Sequence, residues 1–229
     1  MIGFMALAYF TKVNPFLLLA SFPMLGQIWL GQIDVLICLG LTLFLYGKNP
    51  YLRGVGIVLA LIKPQLSLLP IFFTLLLELR RDWLKLLALP SLVILSSSFV
   101  YGFGWYMVWI NNAISNLPAH VWRLASIDAW RFGLFLLPLP FFVKSQKSRL
   151  LAGLLVSALA TPFYGVYSYV VFLLFGVEGW ALALSYAWIL GFFAWGQGAM
   201  RFAWTLPLAL LIQLLFKEFK AETYINNSK

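Results

Sequence analysis

The sequence predicts an all-α fold, a polytopic integral membrane helical bundle of about seven to nine membrane segments. Three observations carry that expectation. First, 63% of the 229 residues are hydrophobic and 18% aromatic, against 10% charged, a balance that a water-facing surface of ordinary size does not tolerate. Second, sixteen Lys and Arg give a net charge of +9, yet they fall in short clusters between apolar runs. Clusters such as Arg80, Arg81 and Lys85, or Lys144, Lys147 and Arg149, read as cytoplasmic loops under the positive-inside rule, so no nucleic-acid partner is expected. Third, several apolar runs approach the roughly 20 residues that cross a hydrocarbon core of about 30 Å.

Taken in order, the N-terminal MIGFMALAYFTK has no basic residue ahead of its short apolar stretch and no small-residue cleavage pattern, which argues against a secretory signal. The first good span is 14–30, followed by 33–46 across the tight WLGQ turn, which forces a hairpin. Residues 51–79 form one apolar stretch broken at Lys63-Pro64 and flanked by basic residues at both ends. Proline removes a backbone donor and disfavours a helical residue before it, so the chain is expected to run out, break and return.

Residues 86–110 make a comfortable span leading into the polar NNAISNLPAHVWRLASIDAWR. Trp105, Tyr106, Trp109, Trp122 and Trp130 surround that stretch, as in an aromatic belt at the outer interface. The chain then returns over 132–143 to the basic KSQKSR loop. A run at 150–175 is interrupted by Thr161-Pro162, and 180–195 and 202–216 complete the set. With Pro162 at a second hairpin tip, twelve basic residues lie inside against Arg123, Arg131 and Arg201 outside. A straight crossing gives a more even split, so the charges favour two proline-broken hairpins pointing outward. No repeat, linker or low-complexity tract divides the chain. It is expected to form a single transmembrane domain over 1–219, with a polar tail at 220–229.

Ionisable groups at membrane depth are costly and mark candidate sites. Lys63, at a hairpin tip beside Gln65 and the backbone groups freed by Pro64, stands where an anion such as a lipid-linked phosphate would lie; the structural alternative is a lysine snorkelling to ordinary headgroups. Gln27, Gln32 and Asp34 sit on the outer turn before the second span. Asp34 suits a base, a ligand, or a helix-start residue favoured by the helix dipole. Asp128 in the outer loop carries the same ambiguity, and His120 is the only histidine. Glu78 and Asp82 bracket Arg80 and Arg81, while Glu178 falls in an inner loop of the two-hairpin topology. Cys38 is the single cysteine, so no internal disulfide forms. No phosphate-binding glycine loop, metal-spaced pair or nucleophile elbow occurs, so no metal and no cofactor are expected.

The segment GQIDVLICLGLTLFLYGKNPYLRGVGIVLALIKPQLSLL, with its continuation to RRDW, resembles the central part of glycosyltransferase family 87 of the C-type superfamily. In that family a Gly-Gln-x-Asn turn opens a span, a Gly-rich helix leads to Lys-Pro, and a second apolar helix ends in Arg-Arg-x-Trp. Here the matching residues are Gly31, Gln32 and Asp34, then Gly54 and Gly56, then Lys63-Pro64, then Arg80, Arg81 and Trp83. The stretch SALATPFYGVYSYVVFLL is similar to the family's Ser-Pro-x-Ser-Trp-x-His motif, with Thr161-Pro162 in the Ser-Pro place and Tyr167 where histidine is usual. The resemblance spans roughly 15–175.

It implies transfer of a sugar, most often mannose, from a polyprenyl-phosphate donor to a lipid or glycan acceptor at the extracytoplasmic face of the cell (plasma) membrane. Lys63 and Gln65 would bind the donor phosphate, Gln32 and Tyr167 would line the outer site, and Asp34 or Asp128 would serve as the catalytic carboxylate. Family members carry an acidic residue in a first outer loop that lies upstream of everything seen here, so a short or truncated member is expected. Two alternatives follow. One is a non-catalytic subunit that binds the lipid carrier and relies on a protein partner for the missing carboxylate; the other is a transporter or flippase of a lipid-linked anion.

Overall fold

A computed structural model describes residues 1–78, 82–115, 130–161, 164–176 and 178–227, and all regular elements among them are helical. Helices α1 (Ile2–Thr11), α2 (Pro15–Leu19) and α3 (Phe22–Leu30) lead to α4 (Asp34–Tyr46) and α5 (Pro50–Ala60). Next come α6 (Pro64–Glu78), α7 (Trp83–Tyr101), α8 (Trp105–Ser115) and α9 (Trp130–Leu134). The chain ends with α10 (Gln146–Ala160), α11 (Val170–Gly176), α12 (Gly179–Ser185), α13 (Trp188–Trp195) and α14 (Thr205–Asn227), the last running on through the polar C-terminal residues. Short 3₁₀ segments cover Leu139–Phe142, Val166–Tyr169 and Gly196–Trp204.

Local chemistry sets most boundaries. Asn14, Ser21, Asn49 and Ser145 each accept a backbone N–H of the following helix, and proline stands in the first turn after the first three, where its missing N–H costs nothing. The cap at Ser21 splits the expected 14–30 span into α2 and α3. Gly102, at φ +84°, ends α7 and cuts the expected 86–110 span, because a side chain rarely adopts that conformation. The 132–143 run gives only α9 and a 3₁₀ turn, in a stretch that holds Pro138 and Pro140.

The break between α5 and α6 forms where the sequence puts it. Pro64 has no N–H for the Ala60 carbonyl, and the Ser67 hydroxyl donates to that carbonyl at 2.6 Å instead. An orphaned acceptor is thus satisfied without extending α5. Helices α4 and α5 pack antiparallel in backbone contact: a Cβ on Gly56 would meet Gly40 O and Phe44 N, each at 2.5 Å. At the far end Gly54 faces Leu86 of α7, so α6 has brought the chain back to the side where α5 began.

The second hairpin closes similarly. Residues Ala152 to Ala160 of α10 and Val170 to Phe175 of α11 are buried without exception, as expected of helices apolar on every side. Gly176 lies against Leu151, so α11 returns along α10. Pro162, its expected tip, lies outside the described residues. Helix α6 packs on this pair through Pro70 against Gly153, and α9 approaches it through Gly133.

Among the described residues two helical stretches are long and apolar enough to cross a membrane, Trp83–Tyr101 and Phe202–Lys220. Only 17% of the first is buried inside the protein. Its Leu84, Leu92, Leu95 and Phe99 point outward, an apolar surface far beyond scattered exposed side chains. The other apolar helices are shorter than 18 residues.

Candidate functional site

The site gathers where three breaks meet: the α3–α4 turn, the α5–α6 break and the 3₁₀ turn before α11. Gly31 caps α3 in the left-handed conformation at φ +61°, which turns the chain sharply and puts Asp34 in the first turn of α4. There the partial positive charge of the helix start favours a carboxylate. The side chain of Asp34 is fully buried, yet every oxygen has a partner. Oδ1 receives the Lys63 ammonium at 2.5 Å. Oδ2 receives Gln27 Nε2 at 2.5 Å and the Ser168 hydroxyl at 2.8 Å.

Lys63 reaches this carboxylate from the broken segment between α5 and α6. Its ammonium also donates to Gln32 Oε1 at 2.9 Å and sits 5.4 Å from the centre of the Tyr167 ring, within cation–π range. An ammonium has three donors; two are engaged and one is left. Its side chain keeps 19% of its surface accessible, whereas that of Asp34 keeps none.

Gln27 ties the turn to the 3₁₀ segment. Its Nε2 donates both to Asp34 and to the Tyr167 carbonyl at 3.1 Å, and Gly26 lets the Tyr167 Cβ come within 3.0 Å of where its own Cβ would stand. Two acceptors on one side and none on the other fix the amide orientation. Gln27 Oε1 is then a buried acceptor without a partner among the described residues, as the buried Tyr164 hydroxyl is a polar group without one there. Unsatisfied groups of this kind are uncommon in folded proteins. Here they edge a charged cluster.

Of the residues singled out from sequence, Asp34, Lys63, Gln32 and Tyr167 converge. Gln65 is half-buried on the first turn of α6 and takes no part in the hydrogen-bonded cluster. Asp128 and His120 lie outside the described residues. Lys63 meets a counter-ion within the chain, so it stands as half of an ion pair. Ser168 escapes sequence reasoning; the only signal is its place beside Tyr167 in GVYSY. No group of three His, Cys, Asp or Glu converges among the described residues.

At the other end of the bundle Glu178 accepts from Lys217 at 2.5 Å, Gln213 at 2.6 Å and Trp180 at 2.9 Å. The bonds from Lys217 and Gln213 hold its carboxyl below the usual range. Asp82 approaches Lys85 at 4.0 Å on the surface, a screened pair of little energetic weight.

Fold and site together define a class: an all-helical chain with an ion pair sealed into one end by broken helices. The chain matches no known family profile, no curated protein and no solved structure.

Proposed function

We propose that this chain is a multi-pass membrane glycosyltransferase of the family 87 type, moving a sugar from a polyprenyl-phosphate donor to a lipid or glycan acceptor at the extracytoplasmic face. The observation that carries the reading is the convergence of Gln32, Asp34, Lys63 and Tyr167, the residues the family resemblance marks, from three separate segments. The two membrane-length helices and the apolar outer surface of α7 support embedding in a bilayer. The short helices complete a bundle within it, since broken segments are tolerated at membrane depth when protein surrounds them.

The chemistry follows from the pair. A donor phosphate takes the free N–H of Lys63 and then draws the ammonium away from Asp34. The acceptor hydroxyl oxygen forms the new bond to the anomeric carbon as the carbon–phosphate-oxygen bond breaks. Its proton passes to Asp34 Oδ1, which is buried at rest and opens to the acceptor only as Lys63 moves to the phosphate, and polyprenyl phosphate leaves with its charge held by the ammonium. General-base assistance contributes about 10²–10⁴-fold in such reactions; electrostatic stabilisation of the leaving group is the larger share.

The complete pairing of Asp34 favours a second reading, in which the chain binds the lipid carrier and a partner subunit supplies the base. Sugar transfer from labelled polyprenyl-phosphate mannose by the purified chain in lipid nanodiscs separates the two. Transfer abolished by Asp34→Asn and by Lys63→Ala is the expected result. Carrier binding without transfer selects the subunit, and neither binding nor transfer sinks both readings.

A further inference from the structure

A polar cavity lies at the opposite end of the bundle: α11 starts just after Ser168 of the Asp34 cluster and ends at the cavity with Phe175 and Gly176. It encloses about 330 Å³ where α1 ends, α10 begins, α11 ends and α14 passes, toward the small end of pockets that hold ligands. Lys12, Lys147 and Lys217 line it, with Ser148, Gln213 and Glu178. Glu178 neutralises Lys217. Among the described residues the other two cations have no carboxylate: Lys147 makes one long hydrogen bond, 3.4 Å to the Thr11 carbonyl, and Lys12 makes no ion pair there. The first turn of α10 reaches the cavity through Lys147 and Ser148; Ser145 Oγ already accepts the Ser148 N–H at 3.1 Å and donates to the Ser148 hydroxyl at 2.8 Å, so the helix start adds its partial positive charge and the Ser148 hydroxyl keeps its own proton to donate.

The backbone adds an independent sign. Lys12 caps α1 at φ 61°, ψ 33°, the only non-glycine positive φ among the described residues. Glycine is the residue that takes that position without cost, so a lysine there gives up stability and contributes a cation to the cavity wall. Two unneutralised ammonium groups facing one space repel each other until an anion lies between them.

We propose that this cavity is an anion site for a phosphate group, bound by Lys12 and Lys147 with the Ser148 hydroxyl and the start of α10 beside them. The phosphate belongs either to an anionic lipid headgroup or to a free phosphate. The inference uses none of the Asp34 cluster, so it stands or falls separately from glycosyl transfer.

The test uses the full chain in a zwitterionic detergent, read by native mass spectrometry and thermal shift. Phosphatidylglycerol, phosphatidylcholine and inorganic phosphate are the probes. Wild type is expected to retain phosphatidylglycerol over phosphatidylcholine. Lys12→Gln with Lys147→Gln should weaken that binding at least about tenfold, since each lost contact is a charge-assisted bond. The double arginine variant should keep it, as should Lys48→Gln, whose lysine lies outside the cavity. Competition by inorganic phosphate identifies free phosphate as a ligand, and no competition identifies the headgroup. Lys12→Gly gives a readout that a purely structural lysine would not: higher thermal stability together with weaker anion binding. Equal binding by wild type and the double glutamine variant, or no anion binding by wild type, overturns the proposal.

Discussion

Asp34 and Lys63 form a pair whose two halves differ in burial, with 0% and 19% of the side-chain surface accessible. Removing one partner of such a pair leaves an uncompensated charge and costs about 3–5 kcal/mol, whereas replacing both is much milder. Lys63→Gln alone is therefore expected to destabilise strongly, and adding Asp34→Asn to recover most of the loss, in a double-mutant cycle completed by Asp34→Asn alone and read by denaturant unfolding in micelles. A double variant that costs the sum of the two single variants would mean that the pair does not form. Ser168→Ala removes one hydrogen bond to a charged oxygen and should cost about 1.5–3 kcal/mol. Sequence reasoning reached Asp34 and Lys63 separately, each as a polar residue out of place. It could not reach Ser168, because a serine in an apolar run is unremarkable until its neighbour is known.

The helices owe their arrangement to where they can touch. Gly40 and Gly56 permit backbone contact between α4 and α5, and a Cβ on either would stand 2.5 Å from a backbone atom. Gly56→Ala must therefore push the two helices apart, at about 1–3 kcal/mol from overpacking. The same change at Gly104, where nothing lies within 4 Å, should be neutral or slightly stabilising. Comparison of the two variants by thermal unfolding checks this, and a neutral Gly56→Ala would contradict the close packing. The glycines of the α5 segment were visible in the sequence, but their partner helix was not. Helix ends were partly visible: asparagine or serine before proline marks a cap, yet nothing in the hydropathy of 86–110 announced that Gly102 would take a positive φ.

At the scale of the molecule, the cytoplasmic-type charges and the Asp34 cluster fall at opposite ends. Cysteines placed at Lys48 and at Ile62 in a Cys38→Ser background should label from opposite faces of sealed vesicles. Labelling from one face would refute the outward hairpin of α5 and α6. The Glu178–Lys217 contact docks α14 beside the α11–α12 junction, and it makes that docking sensitive to acid. Because the folded protein holds the Glu178 carboxyl low, the contact contributes fully above the ordinary glutamate value of about 4.3. It is lost as pH falls through the lower, folded value. Amide exchange in α14 should rise on acidification through that window, and Glu178→Gln should remove the pH dependence. The effect is small, as both side chains are exposed.

The sequence by itself determined the helical class, the break at Lys63-Pro64, and the separation of basic loops from apolar runs. These depend on local chemistry: hydropathy, the missing N–H of proline, and charge near a span end. Only the tertiary structure decided that Lys63 answers Asp34, 29 residues away, and that Ser168, 134 residues from Asp34, completes the carboxylate's shell. Partners of that kind are chosen by how helices pack, and packing brings together residues whose local sequence holds no trace of one another.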